Sequence, residues 1–183
     1  TQIGIPPEML GSHIGPTTSH TTGRTHTLAF RAVTALFGHA GLEWDITKTT
    51  PEEKVALKSW ADYYKNKRGL LHSGDVVRME TDLDSTFVHG VVSKDKATAL
   101  FAYVTLQAQA GSRPNSIVID GLDPEKSYSV KAVFPSGQPV FQQRTAPGWL
   151  DGVVLTGKAL SQIGLRPPIL FPESALLIEI EAI

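Results

Sequence analysis

The sequence predicts an α+β chain in two parts: strand–helix units over residues 1–71, and an antiparallel β-sandwich over residues 72–183. Two observations predict it. Before residue 72, apolar positions recur at helical spacing in two stretches, and one stretch carries a full set of helix-start signals. After Ser73-Gly74, short segments rich in β-branched and aromatic residues alternate with turn residues, which is the texture of a sandwich.

The opening run from Ile3 to Pro16 is broken by Pro6, Pro7, Gly11, Gly15 and Pro16, and holds at most a short strand near Met9–Ser12. Thr17 to Gly23 reads as a polar loop. From Arg24 to about His39 the pattern turns helical, with Leu28, Ala32, Ala35, Leu36 and His39 three and four apart, until Gly38 and Gly41 stop it. Gly41 to Ile46 fits a short buried strand. Thr50-Pro51-Glu52-Glu53 then starts the second helix. The threonine caps free N–H groups, the proline occupies the first position, and Glu53 reaches back to the cap. That helix runs through Val55, Leu57, Trp60, Ala61 and Tyr64. It ends in Lys65, Lys67 and Arg68, which suit the negative end of its dipole, before Gly69.

In the second part, strands are expected near Asp75–Glu80, Thr86–Ser93, Ala97–Gln107, Ser116–Asp120, Tyr128–Phe134, Phe141–Arg144, Gly152–Thr156 and Ala175–Ala182. Turns separate them at Lys94-Asp95, Arg113-Pro114-Asn115, Gly121 to Pro124 and Ser136-Gly137. The last strand alternates most cleanly, with Leu176, Ile178 and Ile180 on one face and Glu179 and Glu181 on the other. A strand–helix–strand–helix unit of this size leaves two sheet edges and a bare face, so other strands or another chain are expected to complete it.

Composition excludes several classes. Seventeen basic against 18 acidic residues give a net charge of −1, so no general attraction to nucleic acid or anionic membrane is expected. No apolar run is long enough to span a membrane, and no basic and apolar leader opens the chain. With no cysteine there is no disulfide, thiolate metal site or thiol nucleophile, which fits a reducing compartment; a cytoplasmic location is the expectation.

The run Pro6-Pro7-Glu8-Met9-Leu10-Gly11-Ser12-His13-Ile14, then Arg24 with Phe30-Arg31, then Leu36 to Asp45, resembles the last two barrel units of family 36 glycoside hydrolases. The helix from Thr50 to Arg68, with Tyr64, Lys65 and Arg68 at its end, is similar to that family's final barrel helix. Gly74-Asp75, Val91 to Lys96, Gly121 to Pro124 and Pro172-Glu173-Ser174 resemble its C-terminal β-domain. The resemblance covers nearly the whole chain. It implies that residues 1–71 are the last units of a (β/α)8 TIM barrel and that residues 72–183 are the β-sandwich after it. The implied activity is that of a retaining α-galactosidase, which cleaves terminal α-linked galactose from oligosaccharides such as raffinose. A homo-oligomer and no cofactor are implied as well. In such a reaction one aspartate attacks the sugar carbon and a second serves as acid and base, about 5 Å away.

This sequence departs from the family where the chemistry sits. The Lys-Trp-Asp nucleophile motif, the Ser-Asp-Asn-Thr-Asp acid/base motif and the Cys-x-x-Gly-x-Gly-Arg substrate motif do not occur. By family order all three precede Thr1. No catalytic residue is therefore assigned, and the chain by itself is expected to be inactive. No metal site is expected either, because His20 and His26 lack a third ligand.

Three residues are candidates for the substrate rim: Ser12 and His13 after the first strand, and Asp45 at the end of the second. Strand ends of this kind face the catalytic mouth of a barrel. Each has a structural reading beside it. Ser12 and His13 would form a hydrogen-bonded turn, and Asp45 would anchor the strand–helix turn. Thr22-Gly23-Arg24 is read either as an anion site or, more readily, as an arginine tying its loop to a carboxylate. Trp60 and Tyr64 are expected on one packed helix face, with sugar stacking the lesser reading for them and for Trp149. The rival to the whole scheme is a non-catalytic β-sandwich module, carbohydrate-binding or structural, which has no need of two strand–helix units before it.

Overall fold

The computed structural model describes residues 9–81, 85–108 and 114–183. The opening through Glu8 and Arg113 of the expected turn lie outside the described residues.

The first part is a strand–helix–strand–helix unit. Strand β1 (Gly11–Ile14), helix α1 (Leu28–Leu36) and strand β2 (His39–Leu42) bring β1 and β2 together in parallel, Gly11 opposite His39 and Ile14 opposite Leu42. Helix α2 (Pro51–Leu71) follows. Its capping box is formed as the sequence predicts: the Glu53 N–H donates to Thr50 Oγ1 at 3.2 Å, and the Thr50 N–H donates to Glu53 Oε2 at 2.9 Å.

Among the described residues the second part is one six-stranded sheet rather than the expected two-sheet sandwich, because the segments that would make a second sheet form only isolated bridges. Strands β3 (Asp75–Met79), β4 (Thr86–Val92), β5 (Thr98–Thr105), β6 (Ser127–Val133), β7 (Val153–Thr156) and β8 (Ser174–Ala182) lie in the order β3-β4-β5-β8-β6-β7, every pair antiparallel. The last strand therefore enters the middle of the sheet, between β5 and β6.

Both faces of this sheet are covered. On one, Leu100, Ala102, Val104, Ala175 and Leu177 pack against Phe30, Val33, Leu36, Leu57 and Trp60 of α1 and α2. On the other, Phe101, Tyr103, Leu176, Ile178 and Ile180 pack against Ile117, Ile119, Leu122, Leu165 and Leu170 of irregular segments and Leu160 of a short helix α3 (Gly157–Gln162). Helix α1 lies between the parallel pair and β8, so the two parts share one continuous core. In β4 the backbone at Gly90 passes so close to Phe101 that an added Cβ would sit 2.3 Å from its ring.

The central strand explains a charge pattern. Glu179 and Glu181 do lie opposite Leu176, Ile178 and Ile180, but Glu179 is buried, 7% exposed. It accepts from the Tyr63 hydroxyl at 2.9 Å and pairs with Lys67 at 3.0 Å and Lys131 at 3.5 Å. Burial pushes its carboxyl up. The hydrogen bonds from Lys67 and Tyr63, with the charges of Lys67 and Lys131, outweigh that and hold it below its ordinary value. Burial and the same carboxylate push Tyr63 far upward.

Several boundaries differ from expectation, each for a local reason. Helix α1 begins at Leu28 rather than Arg24, because Thr18 and Thr25 bridge and Thr27 is the cap that accepts from the Phe30 N–H at 3.2 Å. Strand β2 ends at Leu42 rather than Ile46, because Asp45 caps a 3-10 turn over Ile46–Lys48. The strand expected at Ser116–Asp120 reduces to one bridge between Ile117 and Leu165, and that at Phe141–Arg144 to one between Phe141 and Leu170. Helix α3, capped by Thr156, was not expected from the sequence.

Two measurements test this packing. Trp60 is buried, with its indole N–H on Ser136 Oγ at 2.7 Å. Trp60→Ala should lower unfolding free energy by about 3–5 kcal/mol in a urea titration. His89 is half-buried edge-on to Phe37, and burial, aided by Arg78, pushes its pKa down to about 4. The unfolded chain takes that proton near its ordinary pKa of about 6.5. His89 therefore contributes fully above pH 6.5, and the contribution is lost as pH falls toward 4. The urea midpoint should drop across that window, and His89→Leu should flatten the drop.

Candidate functional site

Because β1 and β2 are parallel, the segments that follow them, residues 15–27 and 43–50, open on the same side of the pair. In the described structure these segments surround a cleft of about 540 Å³ lined by Pro16, His20, Arg24, Arg31 and Glu43, among others. Ser12 and His13 lie within β1 rather than after it, because the strand runs Gly11–Ile14, while Asp45 lies beyond β2; the three face different ways.

Ser12 points at α1. Its hydroxyl donates to the Ala35 carbonyl at 2.5 Å, an oxygen that also accepts from the Gly38 N–H at 3.4 Å. The contact depends on Gly38, where a Cβ would lie 2.6 Å from the Leu10 carbonyl oxygen and 2.8 Å from Ser12 Oγ. His13 alternates to the opposite face. Its side chain is 56% exposed, and its Nδ1 lies 4.0 Å from Glu43 Oε2. The ring rests beside Gly41, its register partner, where a Cβ would approach Cδ2 to 3.1 Å. Asp45 is occupied with the turn. It accepts from the Thr47 N–H at 3.1 Å and hydroxyl at 2.6 Å and pairs with Lys48 at 3.3 Å. The Thr47 hydrogen bonds, then Lys48, hold its carboxyl below the usual range.

The residue that organises this end is Arg31, which sequence reasoning noted only as part of a motif. Its guanidinium donates to the carbonyls of Gly15 and of His26 (3.2 Å) and to Thr17 Oγ1 (3.3 Å), and it covers the Trp44 ring at 4.8 Å. Thr17 in turn donates to Glu53 of the capping box at 3.2 Å. Burial lowers the Arg31 pKa from its ordinary high value, with Glu53 opposing. The available signal was that Arg31 is the one charged side chain in the Leu28–Leu36 helix.

Arg24 follows the loop-tying reading, since it pairs with Glu173 at 3.2 Å, as does His26 Nε2 at 3.3 Å. Trp60 and Tyr64 pack against the same core, as expected, and Tyr63 joins them with a hydrogen bond to Glu179; the Tyr64 hydroxyl also meets His72 at 3.2 Å. The Trp149 indole donates to the Arg166 carbonyl at 2.8 Å. Among the described residues no group of three His, Asp or Glu side chains could hold a metal ion, and no helix is long and apolar enough to cross a membrane.

Comparison with known proteins places these features in a family. Residues 1–74 match the melibiase family, and residues 86–171 match the glycosyl hydrolase family 36 C-terminal domain. An α-galactosidase of Escherichia coli is 37% identical over 183 residues, covering 97% of this chain and 26% of that protein. The α-galactosidase AgaA of Geobacillus stearothermophilus is 30% identical over 134 residues, 73% of this chain and 18% of that one. Crystal structures of AgaA variants in complex with raffinose and with stachyose match the fold with a TM-score of 0.81 at 26% identity, covering 97% of this chain and 22% of theirs. The chain thus spans about a quarter or less of the length of these relatives. With both matches in the expected order along one continuous core, the chain belongs to glycosyl hydrolase family 36 and carries its C-terminal domain.

Proposed function

We propose that this chain is the C-terminal portion of a retaining α-galactosidase, acting on terminal α-linked galactose of oligosaccharides such as raffinose and stachyose, and that the reactive carboxylates belong to a longer polypeptide. Residues 1–71 are the last strand–helix units of its (β/α)8 barrel, and residues 72–183 its C-terminal β-domain, built on one six-stranded antiparallel sheet. The observation that carries this is the parallel pair. Among the described residues β1 and β2 pair only with each other, and Leu42 on β2 is 52% exposed. Two parallel strands with bare edges do not form a stable sheet by themselves; further barrel strands would complete it. A self-sufficient sandwich module has no use for such a pair. The relatives' complexes with raffinose and stachyose support the substrate class, and a homo-oligomeric, cytoplasmic parent belongs to the same reading.

Within that barrel the ends of β1 and β2 contribute to the mouth. His13, exposed beside Glu43, is the rim residue best placed to hydrogen-bond a sugar hydroxyl. Ser12 and Asp45 have their polar atoms engaged by Ala35 and by Thr47 and Lys48, and hold the strand ends in place.

Two experiments test this. The isolated chain should give no turnover of p-nitrophenyl α-galactoside, whereas the longer enzyme that contains it should; sustained hydrolysis by the purified chain alone would contradict the proposal. In the longer enzyme, His13→Ala should lower kcat/KM by about tenfold, equivalent to about 1.4 kcal/mol of transition-state binding, and Asp45→Ala by much less. Equal effects would remove His13 from the rim.

A further inference from the structure

We propose that Glu173, in the turn just before the central strand, is a positioning residue for the loop over residues 15–27, and that through Arg24 and His26 it sets the shape of the sugar-binding mouth. This rests on the α-galactosidase reading above, because it assigns that loop to the mouth.

The loop is fixed at its root and along its length by its own contacts. Arg31 holds the carbonyls of Gly15 and His26, and the backbone of Ser19 pairs with that of Arg24, N–H to carbonyl, at 2.9 Å. Its outer side is held by a residue almost 150 positions away in sequence. Glu173 divides its two carboxylate oxygens, Oε1 to Arg24 at 3.2 Å and Oε2 to His26 Nε2 at 3.3 Å. The His26 ring is also stacked on Phe30, with centroids 5.2 Å apart, and Phe30 belongs to the core. His26 is thus gripped from the helix on one side and from the sheet on the other.

Two features separate this contact from an ordinary surface ion pair, which contributes little to stability. The first is backbone conformation. Glu173 has φ +54°, in the left-handed region that a residue other than glycine adopts at an energetic penalty. A glycine or asparagine would sit there more easily, so the carboxylate side chain is kept against local preference, and such outliers gather where a side chain must be aimed. The second is location. Glu173 immediately precedes β8, the central strand, so it is carried by the most deeply buried part of the sheet. His26 and Phe30 form the wall between the 540 Å³ cleft on the loop side and a second cleft of about 470 Å³ lined by Val140, Phe171 and Glu173. Releasing the latch would let that wall move, and substrate would then have to order the loop as it binds.

The test uses the longer enzyme containing this chain. Glu173→Gln removes the charge, while Glu173→Gly removes the side chain and relieves the backbone, so loss of folding cannot explain both. Each should raise KM for p-nitrophenyl α-galactoside about fivefold or more while leaving kcat within about twofold, the signature of lost binding-state order rather than lost chemistry. Arg24→Ala with Glu173→Gln should be no worse than Glu173→Gln alone, because coupled partners are not additive. Independently of activity, trypsin should cut after Arg24 faster in both Glu173 variants than in the parent. Faster cleavage with unchanged KM would reduce Glu173 to a structural role and overturn the proposal, as would wild-type behaviour in both assays. A parent enzyme inactive on α-galactosides would refute the glycosidase reading, and the trypsin rates would still decide whether the latch exists.

Discussion

The structure depends on one surface, the helix-facing side of the six-stranded sheet. Leu100, Ala102, Val104, Ala175 and Leu177 on that side are covered by α1 and α2, and α1 packs on its other side against β1 and β2. Each part therefore completes the core of the other. Burying an aliphatic or aromatic side chain contributes about 1.5–3 kcal/mol, so the joint is a core and not a loose contact between neighbours. Glu179 adds direction to it. A buried carboxylate is costly unless it is paired and hydrogen-bonded. Its partners Tyr63 and Lys67 lie on α2, and Lys131 lies on β6, so the ion cluster is satisfied only when helix and sheet meet in one register.

The same surface links the sheet to the open ends of the parallel strands. Helix α1 sits with its apolar face on β8, and Arg31 on the same helix gathers the carbonyls of the loop after β1. Glu173, just before β8, reaches that loop from the other side. Helix and strand therefore hold a polar loop by two routes from one rigid junction. A loop of Thr, Ser, His and Gly has little apolar surface of its own to bury, and external polar anchors are the means available to order it.

What could be read from the sequence divides along physical lines. The α2 cap was legible because every part of it lies within four residues, Thr50 to Glu53. The core strands β4, β5 and β8 were legible because their apolar runs are long. The segments near Ile117 and Phe141 carry strand composition, yet each forms a single bridge, because the partner stretch around Leu165 and Leu170 contains Pro167 and Pro168, which cannot extend a ladder. The candidate site was legible in part. Alternation separated Ser12 from His13, but only the fold shows that Ser12 turns to the Ala35 carbonyl and His13 away from it. Glu173 gave no local signal beyond a Pro-Glu-Ser motif, because its partners Arg24 and His26 are brought to it by the tertiary structure.

The electrostatics of the chain show one consistent direction among its carboxylates. A general acid at neutral pH needs a carboxyl whose proton is held more tightly than usual, normally by burial without a compensating cation. Among the described carboxylates with a resolved shift, every one moves the other way. Thr47 lowers Asp45, Lys58 lowers Asp62, Ser93 lowers Asp95, and hydrogen bonds at its own helix start lower Glu52. Glu179 is the one among them that burial pushes strongly toward an acid, and two lysines and a tyrosine return it to the ionised form. Carboxylates tuned in this direction cap turns, close ion clusters and fasten loops. A retaining hydrolysis requires a second, protonated partner, and in the proposed enzyme that group belongs to the remaining strands of the barrel.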